Sequence, residues 1–153
     1  MIAPFVLMTF AVAAAKSSQQ TLVAVKCEVI RTNTNEEYGE TPKIDTQQFS
    51  RIYILDDKNQ RIMYFDERNN SMSDLCKDCN LSYGSRIISY WKNESGSKPY
   101  YQKTSEKFEI NRETGKLAFN WHLTDSDSSV ETRESGQCAK IPVPQLTSKS
   151  AIF

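Results

Sequence analysis

Residues 49–66, FSRIYILDDKNQRIMYFD, limit the possible folds more than any other part of the chain. Two runs rich in Ile, Tyr, Leu, Met and Phe flank the polar tetrapeptide 57–60. β-branched and aromatic residues favour strands, and Asp and Asn favour tight reversals because they hydrogen-bond to nearby backbone groups. The pattern therefore predicts an antiparallel hairpin.

This hairpin is predicted to be apolar on both faces, because successive side chains of a strand point in opposite directions. Ile52 and Ile54 face one way, whereas Tyr53 and Leu55 face the other. A half-exposed strand needs only one apolar face. We therefore expect one face to meet the core, and the other to be covered by a loop, a helix, a ligand or a partner.

The remaining strands follow from the same alternation and from the turn residues between them. Gly84 in the first place of a two-residue loop predicts a type II′ hairpin, and Gly115 is predicted to take positive φ in the next one. With the two strands of the first hairpin the total is eight, the others being residues 21–32, 79–83, 86–91, 100–111, 116–124 and 129–140.

Two polar stretches are predicted to lie outside the sheet. Residues 33–48 are expected to form a long loop, with at most a short extended piece at 43–46. Ser71 and Asp74 predict one capped turn of helix within residues 67–78.

Short reversals make neighbouring strands antiparallel, so the fold class is all-β, an antiparallel up-and-down meander. An even number of strands allows the first and last to pair, which predicts a closed or nearly closed barrel. The alternative is a two-layer β-sandwich. The interior of an eight-stranded barrel is either filled by side chains or holds one small ligand.

The first fifteen residues, MIAPFVLMTFAVAAA, predict a secretory signal peptide. Cleavage after Ala15, with Ala13 three positions earlier, fits the small-residue rule. The segment is shorter than the ~20 residues needed to span a bilayer. Residues 16–153 are then a single β domain, secreted or periplasmic, with no membrane association after signal removal. The alternative is that the segment is an apolar strand or helix of the mature fold.

The four cysteines are expected to form disulfides in such a compartment. Four cysteines allow three pairings. The simplest joins Cys27 to Cys138 and Cys76 to Cys79, because the first two lie in the first and last strands. The first bridge would close a loop of on the order of 110 residues, contributing roughly 4–5 kcal/mol in the chain-entropy model.

The sequence favours a protein that is not an enzyme and has no cofactor or metal. Cys76 and Cys79 form a C-x-x-C motif, but Asp78 between them disfavours a thiolate, and zinc would need a second such pair. His122 is the single histidine and is expected to be exposed on a strand. The carboxylates that flank the first hairpin are ordinary turn chemistry; they are Asp56, Asp57, Asp66 and Glu67.

Four aromatic side chains are the candidate ligand-facing residues, namely Tyr53, Tyr64, Trp91 and Trp121. Aromatic residues at the mouth of a barrel can stack on an apolar ligand. Lys plus Arg and Asp plus Glu number 19 each, so the chain lacks the basic excess of nucleic-acid-binding proteins. Sequons at Asn69, Asn80 and Asn93 matter only in a glycosylating host.

Residues 51–138 resemble a group of small exported bacterial proteins of unknown function. The segments that carry the likeness are RIYILDD, DLCKDCNLSYGSRIISYW, FEINRETGKL and SGQC, in that order. The resemblance implies export and a β-rich fold, and it implies no activity.

Three functional hypotheses follow. The first is a binding module for a small apolar ligand or a secreted protein. The second is an inhibitor of a secreted hydrolase that inserts a long loop, either 33–48 or 67–78. The third is a thiol-disulfide oxidoreductase that uses Cys76 and Cys79.

Overall fold

The computed structural model describes residues 22–96 and 102–146. The predicted signal peptide lies outside the described residues. Nine strands form within them. They are β1 (Leu22–Glu37), β2 (Lys43–Asp56), β3 (Arg61–Asp66), β4 (Ser71–Asp74), β5 (Asn80–Tyr83), β6 (Ile87–Ser95), β7 (Lys103–Asn111), β8 (Lys116–Thr124) and β9 (Ser128–Ile141).

The strands form one antiparallel sheet in the order β4-β3-β2-β1-β9-β8-β7-β6-β5. The predicted antiparallel meander is confirmed, and the first and last strands pair as expected. The prediction of a closed or nearly closed barrel goes too far, because the sheet curls into an open half-barrel. Its two edges are β4 and β5, and no ladder joins these two strands in the described part of the chain.

Residues 71–74 form a strand, so the predicted helical turn was wrong. They pair with the end of β3, from Met63↔Asp74 to Asp66↔Ser71. Met72 packs there against an apolar cluster on the outer face of the sheet. A tertiary contact thus overrides the local capping pattern, and it supplies the ninth strand.

The predicted long loop at residues 33–48 was also wrong. β1 continues to Glu37 and β2 begins at Lys43, which leaves only a short turn between them. β9 runs beside this polar half of β1, from Arg31↔Glu134 to Glu37↔Ser128. Pairing on both sides of β1 holds the polar residues extended, and they form an arm that projects beyond β3.

The two glycine turns behave differently. Gly115 takes positive φ (71°) as predicted, and a Cβ there would lie 2.5 Å from the carbonyl oxygen of Cys138. Gly84 does not take positive φ, so the expected type II′ turn is absent. The Gly84 amide instead donates to the Ile87 carbonyl oxygen at 2.9 Å, closing a slightly longer turn.

The inner face of the half-barrel is filled by its own side chains at mid-height. The Tyr53 ring lies 5.4 Å from that of Phe108, which stacks on Tyr90 at 5.2 Å. These are centroid distances, and all three residues are buried. The rest of this cluster is Val25, Cys27, Val29, Leu55, Ile62, Ile88, Ile110 and Leu117. No room for a ligand remains between these rings.

The outer face of the first hairpin is covered by the chain itself. Ile52, Ile54 and Phe65 are buried there. Ile141 and Val143, at the end of β9 and just beyond it, pack against them. β9 ends where the prolines of the tail begin, because proline cannot donate to a ladder. The two-sided apolar pattern is thus accounted for by the chain's own tail.

Two disulfides join Cys27 to Cys138 and Cys76 to Cys79. Cys27 and Cys138 lie directly opposite each other on β1 and β9, and Cys27 is fully buried. Cys76 and Cys79 lie in the segment that connects the two edge strands, and both pack against the inner cluster. One bridge therefore joins the first and last strands of the sheet, β1 and β9, while the other lies at the opening of the half-barrel.

Candidate functional site

The four predicted ligand-facing aromatics do not form one site. Tyr53 and Tyr64 are neighbours, with ring centroids 6.5 Å apart, but Tyr53 is only 1% exposed and belongs to the core. Trp91 is 52% exposed and lies on the outer face, since the adjacent Tyr90 points inward. Trp121 is partly buried on the inner face of β8, two positions beyond Phe119.

An open cleft lies instead at the lower end of the half-barrel, the end that carries the turns 57–60, 84–86 and 112–115. This lower cleft has a volume of about 550 Å³. It is lined by Val23, Val25, Leu55, Ser85, Ile110, Asn111, Arg112, Glu113, Thr114, Gly115, Cys138 and Lys140. Sequence reasoning anticipated a mouth of this kind but none of these residues as ligand-facing.

The floor of the lower cleft is aliphatic. Val25, Leu55 and Ile110 form it, and each is at most 7% exposed as part of the inner cluster. They meet because β1 begins at this end, β2 and β7 finish here, and each of the three side chains points inward. The cleft is therefore an uncovered extension of the core.

One side of the lower cleft is held by a hydrogen-bonded triad. Asp57 accepts from the Arg112 guanidinium and from the Tyr83 hydroxyl, both at 2.9 Å. Burial acts to raise the pKa of Asp57, but these two donors outweigh it and leave the pKa below its usual value. Burial, together with the Asp57 carboxylate, raises the pKa of Tyr83, so the phenol stays neutral. The triad fixes the turn that carries Arg112 against the first hairpin.

Lys140 brings a positive charge to the lower cleft. It lies on β9 opposite Val25, so its stem borders the aliphatic floor. In the part of the chain that the structure describes, no carboxylate forms an ion pair with it. An apolar floor beside an unpaired ammonium group suits a ligand that has both an apolar body and a negative group.

A second polar cluster lies higher on the inner face. Glu134 accepts from Nε and Nη2 of Arg31 at 2.8 and 2.6 Å, and its other oxygen lies 3.2 Å from Nη1 of Arg51. The Glu134 side chain is fully buried, and its Oε2 accepts no hydrogen bond from the residues that the structure describes. Both guanidinium groups lie about 5 Å from the centre of the Phe49 ring, at 4.8 and 5.0 Å.

Sequence reasoning missed this cluster, although a signal was present. Glu134 has the same parity as Cys138, so alternation places it on the inner face of β9. A charged residue at an inward position must be paired, because an isolated charge is costly to bury. The inward parity of Arg31 on the paired strand supplied the partner.

Two of the four flanking carboxylates act within turns, as expected, whereas Asp57 belongs to the hydrogen-bonded triad with Arg112 and Tyr83. Asp56 accepts from the amide and side chain of Asn59, and Asp66 does the same for Asn69. His122 is partly buried rather than exposed, on the outer face beside the Thr124 hydroxyl. Over residues 22–96 and 102–146 no group of three or more metal-ligating side chains comes together.

Comparisons with known proteins add no function. No protein-family model matches the chain, and neither a curated protein nor a solved structure shows significant similarity to it. Within the described residues, no helix is both long and apolar enough to cross a bilayer.

Proposed function

We propose that this protein is an exported, non-enzymatic binding module that holds a small amphipathic molecule in the lower cleft. The observation that carries the proposal is an aliphatic floor bordered by Lys140, a cation with no ion-pair partner among the described residues. The ligand class is an apolar body with one negative group. The filled core above the cleft limits the ligand to the mouth of the half-barrel.

Export is part of the same proposal. Two disulfides in a β-rich chain are compatible with a secreted or periplasmic protein, because such bonds persist in oxidising compartments. The predicted signal peptide supports the same location. Mass spectrometry of the mature protein recovered from its host tests it, with a start near Lys16 as the expected result.

The affinity expected for the lower cleft is moderate. A ligand that covers ~200 Å² of apolar surface gains roughly 5 kcal/mol from burial, and association consumes part of that gain. The charge of Lys140 then contributes more to orientation than to affinity, because it is exposed to solvent. The expected ligands are therefore bound at micromolar rather than nanomolar concentrations.

Titration with the apolar anionic dye anilinonaphthalene sulfonate tests the proposal. We expect saturable binding, weakened about tenfold by Lys140→Glu, since the change replaces attraction by repulsion. Lys116→Glu is the matched control, with the same charge change on a residue outside the cleft. Equal dye affinity for the two variants contradicts a site at the lower cleft.

The arm favours a second candidate function, inhibition of a secreted hydrolase. Its turn carries Tyr38, which is 94% exposed, and Ile44 close by is 69% exposed. The expected inserting loop is thus a hairpin held extended by strand pairing, with apolar groups at and near its tip, which lowers the entropy cost of docking. Pull-down from the native medium, with wild type and Tyr38→Ser compared, tests it. Recovery of no partner at micromolar protein rejects the idea.

A further inference from the structure

The upper half of β2 is paired on one side only. β1 pairs with the whole of β2, from Leu22↔Asp56 to Asn35↔Lys43. β3 pairs only with residues 52–56 on the other side. In residues 22–96 and 102–146, no strand pairs with that second side of residues 43–51. This stretch is a sheet edge above the point where β3 ends.

The backbone groups that face this edge follow from the register. The Cys138 amide donates to Gly115, away from β1, so Cys27 directs its own groups toward Arg51 on β2. Hydrogen-bonded positions recur every second residue, so the odd-numbered residues of β2 bond to β1. The edge is therefore formed by the amides and carbonyls of the four even-numbered residues, Ile44, Thr46, Gln48 and Ser50.

A hydrogen bond of β3 leads independently to the same assignment of odd and even positions on β2. The Leu75 amide donates to the Ile62 carbonyl oxygen, so Ile62 bonds toward β4 rather than toward its β2 partner, Leu55. Leu55, an odd-numbered residue, must then bond to β1. The even-numbered positions 52, 54 and 56 bond to β3, and an added strand would continue that ladder upward.

A polar notch lies at the edge where β3 departs. Its volume is about 600 Å³. Its lining includes four consecutive residues of β2, 49–52, and the end of β3 with its turn, residues 64–68. Consecutive residues of a strand point to opposite faces of the sheet, so a space lined by all four is bordered by their backbone as well. A peptide in the notch would therefore meet main-chain groups as well as side chains.

The β2 side of the notch carries a net positive charge. Arg31 and Arg51 both line it and share the single carboxylate of Glu134. The far wall carries Arg68 and two carboxylates, Glu67 and Asp66, of which Asp66 already accepts hydrogen bonds within its own turn. The contacts with Glu134 and Tyr53 use only part of the N–H donors of the two guanidinium groups, and the side chains are 28% and 25% exposed, so the exposed donors can meet an added anion.

The end of the edge near Lys43 is protected and its middle is not. Lys43 and Asp45 are charged and follow Pro42, which are the devices that block uncontrolled strand pairing. Residues 46–50, TQQFS, carry neither charge nor proline. The unprotected middle lies beside the two arginines.

We propose that this edge of β2 accepts an acidic peptide segment in an extended conformation, which adds to the sheet as a further strand. Its main chain bonds to Thr46, Gln48 and Ser50, and its carboxylate side chains on the concave face meet Arg31 and Arg51. Strand addition of this kind takes its affinity from main-chain hydrogen bonds and its selectivity from alternate side chains. The site is separate from the lower cleft, and the test of one does not depend on the result for the other.

Selection from a phage-displayed library of short random peptides tests the proposal, with the full mature protein as target. The matched target is Gln48→Pro, which removes one edge-facing amide and leaves the ladder with β1 intact. We expect enriched peptides to be rich in Glu or Asp and β-branched residues, and to bind Gln48→Pro about tenfold more weakly. Gln48→Ala, which keeps the amide, should bind as the wild type does.

Amide hydrogen exchange with an enriched peptide locates the contact. Thr46, Gln48 and Ser50 should gain protection on binding, whereas Gln47 and Phe49 should not change, because their amides already bond to β1. Enrichment of basic peptides, equal binding to Gln48→Pro, or protection elsewhere overturns the proposal. Failure to enrich any peptide also overturns it, provided that thermal unfolding shows the target to be folded.

Discussion

The two ends of the half-barrel differ in how the sheet is completed. At the lower end all nine strands are present, and the inner face is aliphatic and aromatic. At the upper end only the long strands continue, because β3, β4 and β5 are six, four and four residues long. The inner face there carries Arg31, Arg51 and Glu134.

The difference shows what closes a curled sheet. Where inward side chains are apolar, burying them favours curling and additional edge strands, and the sheet wraps around them. Where inward side chains are charged, the charges pair with one another and the sheet stays open. The lower end thus supplies most of the folding free energy, while at the upper end the described residues leave one side of residues 43–51 without a paired strand.

The largest expected loss of stability comes from removing the disulfide between β1 and β9. Cys27→Ala with Cys138→Ala opens a loop with a sequence separation of 111 residues. We expect roughly 4–5 kcal/mol less stability to urea, because the unfolded chain regains its freedom. Cys76→Ala with Cys79→Ala opens a loop of separation 3 and should cost about 2 kcal/mol. Equal losses would mean that loop entropy is not the main contribution.

The next effect tests the polar cluster on the inner face of the upper end. Glu134→Ala removes a fully buried carboxylate and leaves Arg31 and Arg51, which are 28% and 25% exposed, without their shared partner. We expect a loss of about 3 kcal/mol in the free energy of unfolding. Glu131→Ala, on the outer face of the same strand, should cost less than about 1 kcal/mol. If the two variants unfold at the same urea concentration, the cluster does not stabilise the upper end.

A smaller effect is expected at the lower rim, and it depends on pH. The folded state holds the pKa of Asp57 below its usual value. Asp57 therefore contributes stability that is present above the unfolded pKa, ~4, and is lost as the pH falls through the folded pKa. Asp57→Asn should cost about 1 kcal/mol at neutral pH.

Urea unfolding at neutral and at strongly acidic pH checks this prediction. The difference between wild type and Asp57→Asn should shrink in acid, where the wild-type carboxyl is protonated. Asp45→Asn, on the exposed arm, provides the control and should show little difference at either pH. A difference that stays constant across the pH range would show that the triad acts through shape rather than charge.

The smallest effect is expected at the tip of the arm. Tyr38→Ser removes a ring that is 94% exposed, so the stability should change by less than about 0.5 kcal/mol. Thermal unfolding measures this directly. A larger loss of stability would mean that Tyr38 packs as a core residue, which contradicts the contrast between an apolar lower end and a polar upper end.

Local alternation accounts for what could be predicted from the sequence. Residues 52–55 and 62–65 face the sides that their parity predicts, as do Ile88, Tyr90, Phe108 and Ile110. The hairpin at 49–66 and the positive φ of Gly115 also depend only on nearby residues. The lower cleft could not be predicted, because its floor and rim come from four strands that are distant in sequence.

The sequence by itself determined the all-β class, the two faces of each strand and the antiparallel meander, since these follow from a period of two residues and from turn chemistry. Only the tertiary structure decided where the sheet opens, that residues 71–74 pair as a strand, that 33–48 extend as an arm, and that the tail covers Ile52 and Ile54. These features rest on contacts between distant segments, which outweigh weak local preferences when apolar surface is buried or backbone groups are paired.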